Sequence, residues 1–260
     1  MEPCKAEYEV MLVRRYGARD ASWLEDTKAT SIEQVLKVEL NGQQIAEALC
    51  SPGHQLDLAV GMVAQRGLVQ RRADLASLRL EPGLARMETT ALSCFRSSHA
   101  GEEPRYYSLS QLIAWQGRGS TGEGARVEAR AALHTADKLL GELAVTHERT
   151  NGVHSGVVYD PTVDKILAFR EDIGRHNVFD KLYGWAIRND VSLEDKLLVF
   201  SGRCSTEMMV KLWRMGCKMV LAKSVPTTLS LELADKLGIT LMARLTPEGF
   251  SVYTHAQRVS

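Results

Sequence analysis

Apolar and polar residues alternate from Val35 to Leu40, stop at Asn41-Gly42 and resume from Gln43 to Leu49, which predicts a hairpin. Ser51-Pro52-Gly53 closes it. Leu56, Leu58, Ala59, Val60, Met62 and Val63 then supply the apolar surface of a helix over about His54–Gln65, stopped by Gly67. Two further strands are predicted over Val69–Leu80 and Leu84–Leu92, broken at Glu81-Pro82-Gly83. Helical spacing returns in Ala131, Ala132, Ala136, Leu139, Leu140 and Leu143 and predicts one helix over Val127–Val145. Beyond it the pattern shortens and alternates. Strands at Gly156–Tyr159 and Ile166–Phe169 precede a helix on Val178, Leu182, Trp185 and Ala186. A strand at Lys196–Phe200 follows, then a helix at Met208–Met215, a strand at Met219–Ala222 and a helix at Leu229–Leu237 ended by Gly238. Strands at Ile239–Ala243 and Phe250–Tyr253 complete the chain, with Arg244–Gly249 as the loop between them. Residues 1 to about 30 mix charges without a period and predict a partly irregular arm with one strand, Glu9–Arg14.

Strands alternating with helices in the second half argue for an α/β layered domain, and the first half is strand-rich α+β. Between them lies Gly117-Arg118-Gly119-Ser120-Thr121-Gly122-Glu123-Gly124, a linker composition, after a short helix within Ser108–Trp115. The boundary is set there, giving a domain over 1–118 and a second over 119–260. The glycine run lacks the Lys-Ser/Thr ending of a P-loop. The chain has 260 residues, 45% hydrophobic and 25% charged, with a formal net charge of zero. A broad electrostatic footprint on nucleic acid or membrane is therefore not expected. With neither a spanning apolar run nor a secretory leader, the expectation is a cytoplasmic protein. Five scattered cysteines, none spaced Cys-x-x-Cys, argue against a disulfide framework.

Chemistry concentrates where strands turn into helices. Glu171-Asp172-Ile173-Gly174-Arg175-His176-Asn177-Val178-Phe179-Asp180-Lys181 is such a turn, with Gly174 for a tight backbone and Asn177 as the candidate helix cap. Backbone N–H groups at a helix start attract anions, and Arg175 and His176 add to them. Taken alone, a charged loop of this kind is a solvated turn with internal ion pairs. A second turn, Ser201-Gly202-Arg203-Cys204-Ser205-Thr206-Glu207, offers a glycine, hydroxyls and an arginine, with Ser205 or Thr206 as the cap. Two such turns at strand ends predict a shared ligand pocket, because open α/β sheets bind ligands there. Cys94 stands apart from the other thiols: Ser93, Arg96, Ser97, Ser98 and His99 surround it, and Arg96 or His99 can stabilise a thiolate.

The eleven-residue turn resembles the hallmark of the formate dehydrogenase accessory sulfurtransferase family (FdhD/NarQ type). The likeness extends over about Val35–Thr254 and includes Thr150-Asn151-Gly152-Val153-His154, the Ser-Gly-Arg-x-Ser-x-Glu turn and Lys223-Ser224-Val225-Pro226-Thr227-Thr228. It implies a cytidine-deaminase-like fold for the second domain. It also implies a protein that receives persulfide sulfur from a cysteine desulfurase and passes it to the bis-molybdopterin guanine dinucleotide (molybdenum) cofactor of formate dehydrogenase. Cys94 takes the carrier position. The family's second cysteine, three residues on, is here Ser97, which keeps open a cofactor-binding chaperone that moves no sulfur. By the same resemblance the cofactor pocket draws on His154, Asp172, Arg175, His176, Asn177, Asp180, Lys181, Ser201, Arg203, Ser205, Glu207, Ser224 and Thr227. Arg175, His176, Lys181 and Arg203 are the expected phosphate or pterin contacts, and Asp172 and Asp180 orient them or bind guanine. The guanine-binding loop corresponds to Arg244, Leu245, Thr246, Pro247, Glu248 and Gly249, with its arginine displaced. Deaminase chemistry needs His-x-Glu and Pro-Cys-x-x-Cys on zinc. His154-Ser155-Gly156 lacks the glutamate, so no zinc is expected. A homodimer is a further expectation from the family.

Overall fold

The structure is a computed structural model and describes residues 6–19, 21–90, 110–111 and 125–260. Strands β1 (Tyr8–Gly17) and β2 (Ser22–Ser31) form a two-stranded antiparallel ribbon. This corrects the expected irregular arm. Most of the ribbon is exposed on both faces, so its sequence carries no period of two.

A four-stranded sheet follows in the order β4-β3-β6-β5, from β3 (Gln34–Leu40), β4 (Gln43–Cys50), β5 (Leu75–Glu81) and β6 (Leu84–Thr89). Leu36, Val38 and Leu40 of β3 point inward while Lys37 and Glu39 point out. Asn41 and Gly42 both take positive φ, 51° and 78°, as a tight hairpin turn requires. The run expected as a strand from Val69 begins as one only at Leu75. Before it Asp74 accepts the N–H groups of Gln70 and Arg71 and curls the chain into a 3₁₀ turn.

Helix α1 (Gln55–Ala64) is buried almost all round because it lies between this sheet and a later helix, α4 (Arg175–Arg188). The two helices cross in near contact: a Cβ on Gly61 would fall 1.8 Å from the Asp180 carbonyl, and one on Gly184 1.8 Å from the Asp57 carbonyl. Asp57 of α1 is buried against Arg170 and Arg188, which fixes the crossing.

The large sheet has the order β12-β11-β10-β9-β7-β8. Its strands are β7 (His154–Asp160), β8 (Lys165–Asp172), β9 (Leu197–Phe200), β10 (Met219–Ala222), β11 (Thr240–Thr246) and β12 (Gly249–Val252). β9, β10 and β11 run parallel, with β7 and β12 antiparallel to their neighbours. Val158, Leu198, Phe200, Val220, Ala222, Leu241 and Ala243 face a core shared with α1, α4, α5 (Thr206–Met215) and α6 (Thr228–Lys236). Val157, Tyr159, Leu197, Val199, Met219, Leu221 and Met242 face a second core under α2 (Ala129–Lys138). Burial on both faces is why these strands read as unbroken apolar runs. The first core also takes in Leu36 and Val38 of the small sheet without a break.

Two further expectations change. The helix expected over Val127–Val145 is α2, then a π segment Leu139–Leu143 containing Gly141, then α3 (Val145–Thr150). Val127 instead bridges Val259. The expected loop Arg244–Gly249 is mostly strand, since β11 continues to Thr246 through a bulge, with Arg244 at φ 59°. The polar side chains that made it read as a loop belong to a strand end beyond the core. The expected helix in Ser108–Trp115, apart from the helical pair Ser110–Gln111, lies outside the described residues. So do the Gly117–Gly124 run and Cys94.

Candidate functional site

Strand pairing sets the site. Gly156 pairs with Phe200, His154 with Asp172, Ala222 with Phe200, Leu221 with Met242 and Thr246 with Gly249. The carboxyl ends of β8, β9, β10 and β11 and the starts of β7 and β12 therefore lie along one sheet edge. Every turn singled out from the sequence opens onto it. The edge also receives the N-termini of α4, α5 and α6, whose unpaired N–H groups make it attractive to anions.

At the β8–α4 turn most of the polar residues hold the turn itself. Oδ1 of Asp172 accepts from the Gly174 N–H and Asn177 Nδ2, each at 2.8 Å. Oδ2 accepts from the Ser51 N–H at 3.2 Å and pairs with Lys181 Nζ at 2.7 Å. Lys181 also donates to the Glu171 carbonyl at 2.9 Å, and both Lys181 and Asp172 are completely buried. Lys181 is thus an interior counterion, which corrects its expected role as a phosphate contact: α1 covers the face of α4 that carries it. Asn177 is not the helix cap either. Gly174 takes that position, and Asn177 donates from the first turn to the Leu49 carbonyl at 2.8 Å. Asp180 is likewise interior, 2.5 Å from Lys211 Nζ of α5.

The same cluster reaches Glu7, whose carboxyl is pushed up by burial and by Glu171 and Asp172, against the pull of Lys181. Glu171, absent from the expected site, accepts from the backbone of Thr146 and His147 and from the Ser155 hydroxyl.

The exposed cations along the edge are free to meet a ligand. Arg175, Arg203 and Arg244 are exposed and have no ion pair among the described residues, and the same holds for Lys223, which sequence reading passed over. His176 Nε2 lies 3.3 Å from Glu207 Oε2 and ties the starts of α4 and α5 together. Its imidazole is held below the ordinary range by burial, Lys211 and Arg175, against Glu207 and Asp180. Ser205 begins α5 without a side-chain cap bond, and its Oγ is buried with no hydrogen-bond partner among the described residues. Thr227, by contrast, caps α6 by accepting from the Ser230 N–H at 3.3 Å.

A cavity of about 220 Å³ opens between the α3–β7 turn and the ends of β9 and β10, lined by His147, Asn151, Gly152, Val153, His154, Ser201 and Lys223. His147 Nδ1 sits 2.7 Å from the Val153 carbonyl and donates to it. His154 is pushed down by burial, Arg175 and His147, with Asp172 opposing, and is a neutral imidazole at pH 7. Ser201 Oγ accepts from the Ser155 N–H at 2.8 Å. Gly202 has a steric reason to be glycine: a Cβ there would lie 2.6 Å from the Phe200 ring and 3.2 Å from His154 Nδ1. Ser224 and Arg244 adjoin Lys223, the Arg244 N–H donating to the Ser224 carbonyl at 3.3 Å and the Leu245 N–H to the Lys223 carbonyl at 3.1 Å. Thr246, Pro247, Glu248 and Gly249 form the hairpin turn at the far end of the edge, where Thr246 holds the Glu248 carboxyl below its usual range. His147 lacked any signal in sequence, and Lys223 only its place at a strand end.

Cys50, Cys204 and Cys217 are buried, and burial raises their thiols to about 11, about 12 and about 11. None is a thiolate near neutrality. Among the described residues no three His, Cys, Asp or Glu side chains gather as a metal site, and no helix is long and apolar enough to cross a membrane.

Comparison with known proteins places these features in context. A family model described as FdhD/NarQ family matches residues 31–260. A protein of Geobacillus kaustophilus named sulfur carrier protein FdhD is 33% identical over 252 residues, 93% of this chain and 94% of that one. One of Bacillus subtilis with the same name is 32% identical over 95% of both chains. A solved structure from Desulfotalea psychrophila, described as a candidate formate dehydrogenase accessory protein, superposes with a TM-score of 0.79 over 98% of this chain at 17% identity. The likeness of fold is mixed α/β throughout.

Proposed function

This chain belongs to the FdhD/NarQ family, and from that premise we propose that it is a cytoplasmic sulfur carrier serving the maturation of formate dehydrogenase. Its cargo site is the sheet edge, and its cargo is the bis-molybdopterin guanine dinucleotide form of the molybdenum cofactor. The observation that carries this reading is the cationic edge: Arg175, Arg203, Lys223 and Arg244, without ion pairs among the described residues, beside three helix N-termini, with a buried Ser205 hydroxyl that has no hydrogen-bond partner among those residues. Five strand spacings of about 4.8 Å make that edge roughly 24 Å long, the scale of an extended dinucleotide rather than of a single anion. Gly202 leaves the approach beside His154 open where any side chain would close it. The layering of the second half, helices on both faces of a mixed sheet, supports a cytidine-deaminase-like descent.

In this reading Cys94 is the carrier. The high thiol values of Cys50, Cys204 and Cys217 speak against those three. The Cys94 thiolate attacks the outer sulfur of a persulfide on a cysteine desulfurase. The donor's S–S bond breaks, its cysteine leaves as thiolate, and Cys94 holds the sulfane sulfur it hands on. Ser97, where relatives resembling the family pattern have a second cysteine, removes a local resolving thiol and favours a stable persulfide. It is also the feature that favours the second reading, a cofactor chaperone without sulfur transfer.

The test is intact-protein mass after incubation with a desulfurase and cysteine, paired with guanine nucleotide binding. The expected result is a one-sulfur adduct on the unaltered chain, absent in Cys94→Ala, and affinity lost about tenfold or more in Arg203→Ala. No adduct with binding intact selects the chaperone. An adduct that survives in Cys94→Ala, or an unchanged affinity in Arg203→Ala, overturns the assignment.

A further inference from the structure

Helix α3 is too short to place itself. Its 6 residues make fewer than about two turns, a length that is marginal in water without tertiary ties. It follows the π segment, and Ala144, its N-cap residue, has no side chain that can accept the N–H groups of the first turn. A carboxylate from the large sheet supplies what Ala144 lacks. Glu171 Oε2 accepts from the Thr146 N–H and Oε1 from the His147 N–H, both at 3.3 Å, and Oε1 also accepts from the Ser155 hydroxyl at 3.0 Å. The Glu171 backbone is fixed in turn, because its carbonyl accepts from the buried Lys181 ammonium at 2.9 Å.

What hangs from that carboxylate is a wall of the cavity. Four of the seven lining residues, His147, Asn151, Gly152 and Val153, lie on α3 or in the turn after it. This unit is closed on itself. Thr150 Oγ1 donates to the Thr146 carbonyl at 2.7 Å and accepts from the Gly152 N–H at 3.0 Å. The Asn151 N–H donates to the His147 carbonyl at 2.7 Å, and His147 Nδ1 to the Val153 carbonyl at 2.7 Å. Helix and turn therefore shift as one piece. A fifth lining residue, Ser201, accepts from the Ser155 N–H at 2.8 Å, and the Ser155 hydroxyl donates to the same carboxylate. Glu171 thus ties the α3 wall to the end of β9 from behind, without lining the cavity itself.

We infer that Glu171 is a positioning residue: it sets the place of α3, and so of the His147 imidazole and the Asn151–Val153 backbone, against the ends of β9 and β10. That the cavity belongs to the cargo site rests on the function proposed above; that Glu171 holds the cavity wall does not. All three of its side-chain partners, the Thr146 and His147 N–H groups and the Ser155 hydroxyl, donate, so the position requires two acceptor oxygens. A glutamine keeps one of them and turns an amide N–H group toward a backbone N–H. An aspartate keeps both but falls one methylene short of α3.

Proton–nitrogen correlation spectra of the histidine-labelled full chain read the position of His147 with no ligand present, its signals assigned by their loss in His147→Gln. In the unaltered chain His147 is the Nδ1–H tautomer, as its bond to Val153 requires. Glu171→Gln is expected to shift it toward the Nε2–H form that a free imidazole prefers, and to lower guanine nucleotide affinity about tenfold. Glu148→Gln removes an equal charge from an exposed position of the same helix and is expected to change neither. Glu171→Asp keeps the charge beside Asp172, Lys181 and Glu7, reproduces the effect of Glu171→Gln, and serves where that variant does not fold. An unaltered tautomer in the Glu171 variants overturns the inference. So does a shifted tautomer with unchanged affinity in a chain that binds the nucleotide, or an equal effect of Glu148→Gln. A parent chain that binds no guanine nucleotide overturns the cargo assignment instead, and the tautomer still decides the role of Glu171.

Discussion

Lys181→Met separates a structural residue from a ligand contact in the most recognisable turn of the chain. In the folded protein the Lys181 ammonium lies 2.7 Å from Asp172 and 2.9 Å from the Glu171 carbonyl, with no exposed surface. Asp172 keeps three other donors after the substitution, the N–H groups of Ser51 and Gly174 and the Asn177 amide. Its charge, however, is left beside Glu171 and Glu7 with the shared cation gone. Removing one member of a buried pair costs about 3–5 kcal/mol. At roughly 2 °C per kcal/mol for a chain of this size, the midpoint should fall by about 6–10 °C. Thermal and urea unfolding measure the loss, and titration of guanine nucleotide into the same sample measures the site. Affinity should stay within about threefold of the parent, because Lys181 lies beneath the edge rather than on it. Adding Asp172→Asn should recover part of the loss, since the pair is then absent instead of broken. An unchanged midpoint with lost nucleotide affinity would refute the reasoning and return Lys181 to the phosphate-binding set.

Two further outcomes follow from contacts and burial. Gly184→Ala puts a Cβ 1.8 Å from the Asp57 carbonyl and 2.7 Å from the Gly61 nitrogen, both backbone atoms of a buried helix. The strain should exceed the roughly 1 kcal/mol gained in helix propensity and lower the midpoint by at least about 5 °C. Gly141→Ala, with nothing within 4 Å, serves as the control and should not lower it. His154 is held below 6.5 in the folded chain, so on acidification the unfolded chain takes up the proton first. Its contribution is present above 6.5 and is lost as pH falls through the folded-state value. The unfolding midpoint of His154→Gln should therefore decline less than that of the parent below pH 6.5.

What the sequence made legible, and what it hid, divides at burial. The β3–β4 hairpin was readable because Asn41-Gly42 fixes its turn and one face of β3 is wet. The edge was readable because each polar cluster follows an apolar run, and successive parallel strands end on the same side. The ribbon was not, because periodicity records a difference between faces, and both of its faces are largely in water. Nor was the depth of α4. Val178, Phe179, Asp180, Lys181 and Leu182 are buried in succession because α1 crosses a helix that its own sequence presents as amphipathic.

Charge in a sequence is read as surface, and within Glu171–Lys181 that inference holds for Arg175 and fails for Asp172, Asp180 and Lys181. The consequence reaches the function. Asp172 joins the β8–α4 turn to Ser51, and Asn177 joins it to Leu49, so the small sheet and the large one are fastened at the edge that presents Arg175 and His176. Substitutions in this one motif should therefore sort by depth rather than by charge. Losses at Asp172, Asn177 and Lys181 should appear first in unfolding, and loss of Arg175 first in anion binding. A variant of the buried set that kept its midpoint and lost only binding would show that the fastening and the site are separate after all.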